Sequence, residues 1–115
     1  MELKRFQPPQ FIEELVFQVP PEQVERYLDL DMEIFSTALS TVPGFLGGES
    51  WVSVDRPGEV TSLYFWASEK DFQSLDQAWL GGLKARMEEA MGAENLRFVR
   101  AGHAENRRCR VREYR

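Results

Sequence analysis

The chain has 115 residues, of which 43% are hydrophobic and 29% are charged, a composition typical of one globular domain and not of a disordered or fibrous protein. The formal charge is −10 over residues 1–96 and +5 over residues 97–115. Because residues 1–96 are strongly acidic, nucleic acid and anionic membranes are not expected as partners. With one cysteine, Cys109, and no apolar stretch of signal-peptide or membrane-spanning length, we expect a cytoplasmic protein without disulfides.

The first predicted element is a strand. Residues 1–10 contain Pro8 and Pro9 and predict an irregular N-terminal arm, because proline cannot donate to a strand ladder. From Phe11 to Val19 the side chains alternate, as in a strand with one apolar face. Glu13 interrupts the apolar face near its start.

Residues 20–42 predict a long helix. Pro21 suits the first helical turn, where its missing N–H is no loss. Apolar residues recur at helical spacing along one side, and these are Val24, Leu28, Phe35, Leu39 and Val42, with Tyr27 and Ile34 beside them. Pro43 and Gly44 predict the end of the helix.

Residues 48–54 and 60–67 predict a β-hairpin, since the link between them contains Asp55, Pro57 and Gly58. Five apolar residues in a row, Leu63 to Ala67, indicate that the second strand is covered on both faces.

Helical segments follow the hairpin. Ser68 with Asp71 three residues later is typical of a helix start, and Asp76 predicts a second start, before residues 77–91. Gly81 and Gly82 predict a break or bend in this second segment.

Residues 96–102 and 108–114 both alternate, and the pattern does not choose which of them forms the last strand. Residues 102–115 are treated as a basic C-terminal segment of the single domain 1–115.

The order strand, helix, strand, strand, helix, strand predicts a ferredoxin-like βαββαβ fold of the α+β class, with one four-stranded antiparallel sheet. Its two helices can cover only one face of that sheet. Tyr64 and Trp66 point to one face, and Leu63 and Phe65 to the other. We therefore expect a homodimer in which a second copy covers the bare face; the alternative is that the chain's own arm or tail covers it.

The segments PGFLGGESWVS (residues 43–53) and YFWASEKDF (residues 64–72) resemble the dimeric α+β barrel superfamily, in particular the antibiotic-biosynthesis-monooxygenase-like domains. More narrowly, PGFLG and WAS are similar to a group of uncharacterised, largely cyanobacterial proteins. The resemblance covers about residues 11–100 and implies that the sheets of two chains form a dimeric barrel. It implies no single activity, since the superfamily includes oxygenases, isomerases, haem-degrading enzymes and members with no known reaction.

Haem degradation is the sharpest activity to test. Haem-degrading members of the superfamily use a Trp at the end of the third strand, an Asn on the first strand and a His on the following helix, and only Trp66 matches this set. The single histidine, His103, lies beyond the last predicted helix in a segment that predicts an exposed loop. We therefore expect no axial ligand near the pocket and no haem or other cofactor.

A cofactor-independent monooxygenase acting on an aromatic substrate agrees better with the resemblance. Members of that kind act on electron-rich aromatic molecules that supply the electrons themselves, so the protein needs a dry pocket and an orienting group, and a base is optional. Trp51, Tyr64 and Trp66 are candidate pocket-lining residues, with Glu14 and Gln18 as candidate polar groups.

The alternative hypothesis is a non-catalytic dimerisation or ligand-sensing module, in which the three aromatic residues belong to the core or the dimer interface. A cavity that holds a polar group beside Trp66 favours the enzyme, whereas a space filled by side chains favours the module. No metal site is predicted, because the chain has one His and one Cys and its carboxylates lie on helix faces.

Overall fold

The structure, a computed structural model, describes residues 1–115 as five strands and four helices. The strands are β1 (Leu3–Gln18), β2 (Phe45–Val52), β3 (Glu59–Trp66), β4 (Arg97–Ala101) and β5 (Arg108–Tyr114). Helix α1 runs over Val24–Leu30, continues through a π-helical turn at Asp31–Ser36 and ends at Thr37–Leu39. Helices α2 (Glu69–Gln73), α3 (Gln77–Met91) and α4 (Gly102–Glu105) follow, and 3-10 turns lie at Pro21–Gln23 and Ala93–Asn95.

The sheet is antiparallel, in the order β2-β3-β1-β4, which confirms the predicted ferredoxin-like arrangement. It has five strands and not four, because β1 has 16 residues and pairs with two strands along one edge. Residues 15–18 of β1 pair with β4, and its earlier part, from Leu3 to Ile12, pairs with β5. Both candidates for the last strand are therefore strands.

The prediction of an irregular arm over residues 1–10 was wrong. Strand β1 begins at Leu3, and its first residues form a two-stranded arm with β5. Pro8 and Pro9 are accommodated because they lie where the ladder with β5 is interrupted, between Arg5 and Gln10, so no hydrogen bond is required of them.

The predicted break at Gly81 and Gly82 was also wrong, since α3 is continuous over Gln77–Met91. Each glycine disfavours a helix by only about 1 kcal/mol relative to Ala. Burial of Leu83 and Met87 on the same helix outweighs this, at roughly 1.5–3 kcal/mol for each side chain.

The predicted helix starts are confirmed. Ser68 Oγ accepts a hydrogen bond from the Asp71 amide at 3.1 Å, and Asp76 Oδ1 accepts from the amides of Ala78 and Trp79 at 2.9 and 3.1 Å. These contacts satisfy N–H groups that have no partner within the helix.

The core lies between the sheet and helices α1–α3. One cluster contains Val19, Tyr27, Ile34, Val60, Leu83, Met87 and Met91. A second cluster contains Phe11, Leu39, Tyr64, Trp66 and Leu75. Tyr64 and Trp66 therefore point toward the helices, which the sequence could not decide.

The opposite face of the sheet, the outer face, is partly covered by the chain itself. Leu63 and Phe65 are buried, and the Arg110 guanidinium lies 4.0 Å from the ring centroid of Phe65 and 4.3 Å from that of Phe6. The arm formed by β1 and β5 thus covers part of this face. This is the arrangement expected from the alternative in which the chain itself, and not a second copy, covers the sheet. Trp51 on the same face remains 56% exposed.

Candidate functional site

A cavity of about 450 Å³ lies between the sheet and the helices, and 13 of its 19 lining residues are hydrophobic, so an apolar ligand suits it. The sheet contributes Glu13, Leu15 and Phe17 from one side of β1 and Tyr64 from β3. These residues share a face because Glu13 and Tyr64 are direct cross-strand partners and strand side chains alternate.

Helix α1 supplies the facing wall through Tyr27, Asp31, Phe35 and Leu39, spaced four residues apart. In a regular α-helix each step of four residues advances a side chain by about 40°, so three steps would carry Leu39 about 120° away from Tyr27. The wider π-helical turn at Asp31–Ser36 reduces this advance and keeps the four side chains on one wall.

Glu13 is a carboxylic acid in an apolar environment. It is 8% exposed, and its Oε1 accepts a hydrogen bond from the Trp66 indole N–H at 3.2 Å. Burial raises the pKa of Glu13 from its ordinary value of 4.5 to about 7, while the Trp66 hydrogen bond and the charge of Lys84 oppose the shift only in part. Near neutral pH this carboxyl can both accept and donate a proton.

Asp31 is a second buried acid, 5% exposed, whose Oδ1 accepts a hydrogen bond from the Tyr64 hydroxyl at 2.7 Å. Burial raises the pKa of Asp31 above its ordinary value, and the Tyr64 hydrogen bond opposes this shift only in part. Burial and the charge of Asp31 raise the pKa values of Tyr64 and Tyr27, so both phenols stay protonated at neutral pH. The buried Ser62 hydroxyl lies beside these two phenols, and its oxygen has no hydrogen-bond partner.

Of the five residues named from the sequence, only Tyr64 lies in the lining of this cavity. Trp66 is fully buried behind the lining and reaches the cavity only through its hydrogen bond to Glu13. Trp51 lies on the outer face, where its indole N–H donates to Glu49 Oε1 at 3.3 Å.

The two polar candidates lie outside the cavity. Glu14 follows Glu13 on β1, so it points to the outer face, where it forms an ion pair with Arg108. The Gln18 amide donates to the Pro57 carbonyl oxygen at 2.9 Å and holds the β2–β3 loop.

His103 differs from its prediction as an exposed loop residue. It lies in α4, is half-buried and lines the cavity, with its Nδ1 3.2 Å from the Glu14 carbonyl oxygen. An imidazole therefore does line the cavity, contrary to the prediction, because β4 and α4 return the chain to it. The absence of an Asn from β1 and of a His from α2 and α3 still separates this chain from the haem-degrading pattern.

The sequence reasoning missed Glu13 and Asp31 as site residues. The signal for Glu13 was available, since a carboxylate that interrupts the apolar side of a strand must be buried with it. Asp31 follows Tyr27 by four residues and lies on the same, apolar side of α1. Its position therefore also predicts a buried carboxylate.

No group of three or more His, Cys, Asp or Glu side chains is placed to hold a metal ion. No helix has the length and apolar character that crossing a membrane requires. The cytoplasmic location stays a prediction.

The chain belongs to the antibiotic biosynthesis monooxygenase family, whose sequence profile matches residues 11–78. Similar folds occur in provisionally assigned antibiotic biosynthesis monooxygenases from Bordetella bronchiseptica (TM-score 0.58, 12% identity, 93% of this chain and 97% of that chain) and Nitrosomonas europaea (0.55, 12%, 96% and 92%). A conserved protein from Methanosarcina mazei Go1 is also similar (0.53, 18%, 80% and 92%). At these identities the likeness shows the fold and not the reaction. A search of curated proteins finds no match, and the narrower cyanobacterial grouping stays a prediction.

Proposed function

We propose that the chain binds a small aromatic molecule in the cavity and oxidises it with molecular oxygen, without a cofactor. One observation carries this proposal: the cavity is open and holds the Glu13 carboxyl, which the Trp66 indole fixes at 3.2 Å. A pure assembly module needs neither an open cavity nor a buried acid, whose burial costs free energy.

The chemistry requires only that the substrate supply the electrons. Glu13 accepts the proton of a phenolic hydroxyl, the phenolate adds oxygen at a ring carbon, and Glu13 returns the proton to the resulting peroxide. Glu13 then accepts the ring C–H proton as the O–O bond breaks, and gives it to the departing hydroxide. One oxygen atom enters the product and the other leaves as water, so that a phenol and O₂ become a quinone and water.

A base for this sequence should have a pKa near the working pH, because it must accept a proton and later return it. The pKa of Glu13, about 7, meets that condition. The apolar lining keeps water from the peroxide, and Trp66 fixes the carboxyl while it exchanges protons.

The test is oxygen uptake with a panel of phenols, naphthols and anthrones, with product identified by mass spectrometry. Glu13→Gln is expected to lower kcat by 10²-fold or more, and Trp66→Phe to lower the rate without unfolding the protein. Glu14→Gln, a change of the adjacent carboxylate on the other face, is the matched control and is expected to keep full activity. Binding without oxygen uptake across the panel would favour the ligand-sensing module, and equal rates for the Glu13 and Glu14 variants would remove Glu13 from the mechanism.

We also propose that the chain is a homodimer that associates through the outer face. The exposed Trp51 on that face supports this, since large exposed aromatic residues mark association surfaces. Sedimentation at micromolar concentration should give a dimer that Trp51→Glu converts to a monomer. Val54→Glu, in the loop after β2 and 95% exposed, is the control that should leave the dimer intact. A monomeric wild-type protein would contradict this proposal.

A further inference from the structure

We infer that Asp31, held by Tyr64, is a second anchor in the cavity, which selects aromatic molecules that carry O–H or N–H donors at two positions and no carboxylate. The inference rests on the proposed function, since it specifies the ligand of the same cavity. It follows from the placement of two buried acids on facing walls, Glu13 on β1 and Asp31 on α1.

Each acid presents one free oxygen atom. Oε1 of Glu13 accepts from the Trp66 indole and Oδ1 of Asp31 accepts from the Tyr64 hydroxyl. The other oxygen of each carboxyl makes no hydrogen bond within the chain and is not fully shut off from solvent, so a ligand can reach it. Both side chains are more than nine-tenths buried and line the cavity. A ligand that brings a donor to each oxygen forms a strong hydrogen bond to a carboxyl in a mostly apolar cavity, and such a ligand is therefore favoured.

The two acceptors belong to different elements of the cavity wall, the sheet and helix α1. Tyr64 is the cross-strand partner of Glu13, and its side chain extends from beside the Glu13 backbone to the Asp31 carboxyl. A ligand that meets both acids must therefore carry donors at two positions of its ring system. Phe35 on α1 and Phe17 on β1 provide apolar walls for such rings.

The charges of the lining exclude an anionic ligand. Three acids, Glu13, Asp31 and Glu88, line the cavity with Lys84 and His103. None of the ion pairs in the structure involves Asp31, so a ligand carboxylate there would meet an acid without a counter-charge.

Three naphthalene probes that differ in one substituent test the inference: 2,6-dihydroxynaphthalene, 2-naphthol and 6-hydroxy-2-naphthoate. Affinities are measured by titration calorimetry at pH 7.5 without oxygen, so that turnover does not interfere. The diol is expected to bind roughly tenfold more tightly than 2-naphthol, the gain of one hydrogen bond to a buried acid. The naphthoate is expected to bind more weakly than either.

Asp31→Leu should reduce the diol preference to within twofold. The double variant Asp31→Leu with Tyr64→Phe should do the same, and it removes both partners of the Asp31–Tyr64 hydrogen bond together, so that neither is left unpaired. Asp29→Leu, on the exposed side of the same helix, should keep the tenfold preference.

Wild-type affinities within twofold for the three probes would overturn the inference, as would a diol preference that survives in both Asp31 variants. Those results leave the oxygenase proposal standing, since it depends on Glu13. Absence of binding of all three probes would overturn the inference, and the panel experiment would then decide the oxygenase proposal separately. Selective binding without oxygen uptake in the panel experiment would overturn only the oxygenase.

Discussion

Replacing Glu13 by Gln tests whether this carboxyl is withdrawn from water. Burial raises its pKa from 4.5 to about 7, and one pKa unit corresponds to about 1.4 kcal/mol, so ionising Glu13 costs about 3 kcal/mol more in the folded protein than in the unfolded chain. The folded state keeps the proton to a higher pH than the unfolded state. The contribution of Glu13 to stability is therefore complete below pH 4.5 and is lost as the pH rises to about 7.

Gln at this position still accepts the Trp66 hydrogen bond but cannot ionise. Relative to wild type, Glu13→Gln is expected to gain about 3 kcal/mol in the free energy of unfolding between pH 4 and pH 8. Urea unfolding followed by far-UV circular dichroism, at one protein concentration and several pH values, measures this difference. Glu14→Gln removes an outer-face ion pair and is expected to change stability by less than about 1 kcal/mol, without that gain. Parallel curves for wild type and Glu13→Gln would refute the desolvation argument.

Four further substitutions test one buried hydrogen bond, one helix start and the two glycines inside α3. Tyr64→Phe leaves an Asp31 oxygen without its donor and is expected to cost about 1–3 kcal/mol of unfolding free energy in urea titrations at pH 7; no loss would mean that Asp31 finds another donor. Ser68→Ala removes the cap of α2 and is expected to cost about 1 kcal/mol by the same measurement, and an unchanged midpoint would contradict the capping role. Gly81→Ala and Gly82→Ala place Cβ atoms in open space on a continuous helix, so each is expected to stabilise by about 1 kcal/mol, and a fall in the melting temperature would show that the glycines are required.

The alternation of β1, the unbroken apolar run of β3 and the spacing of α1 were sufficient to predict the ferredoxin-like order, because these patterns are local in the sequence. The strand character of residues 3–10 was not predictable in this way. Pro8 and Pro9 are unfavourable in a regular ladder, and only the pairing with β5, about 100 residues later in the chain, shows that the ladder is interrupted at them. The continuity of α3 through Gly81 and Gly82 likewise depends on tertiary burial and not on local propensity.

The site was less predictable than the fold. Glu13 could have been found from its parity on β1, since the sequence places it on the apolar side. The run of apolar residues 63–67 indicated Trp66 as a site residue instead. In the structure Trp66 lies behind the cavity wall and donates a hydrogen bond to Glu13. His103 could not have been found, because its place in the lining depends on how β4 and α4 return to the sheet.

The cavity and the proposed dimer surface lie on opposite faces of the sheet. In the structure the cavity lies between the sheet and the chain's own helices, and Glu13 points into it while Glu14, the next residue, points to the outer face. A monomeric variant made at Trp51 should therefore keep its ligand affinity, because changes at well-separated sites without shared contacts act independently.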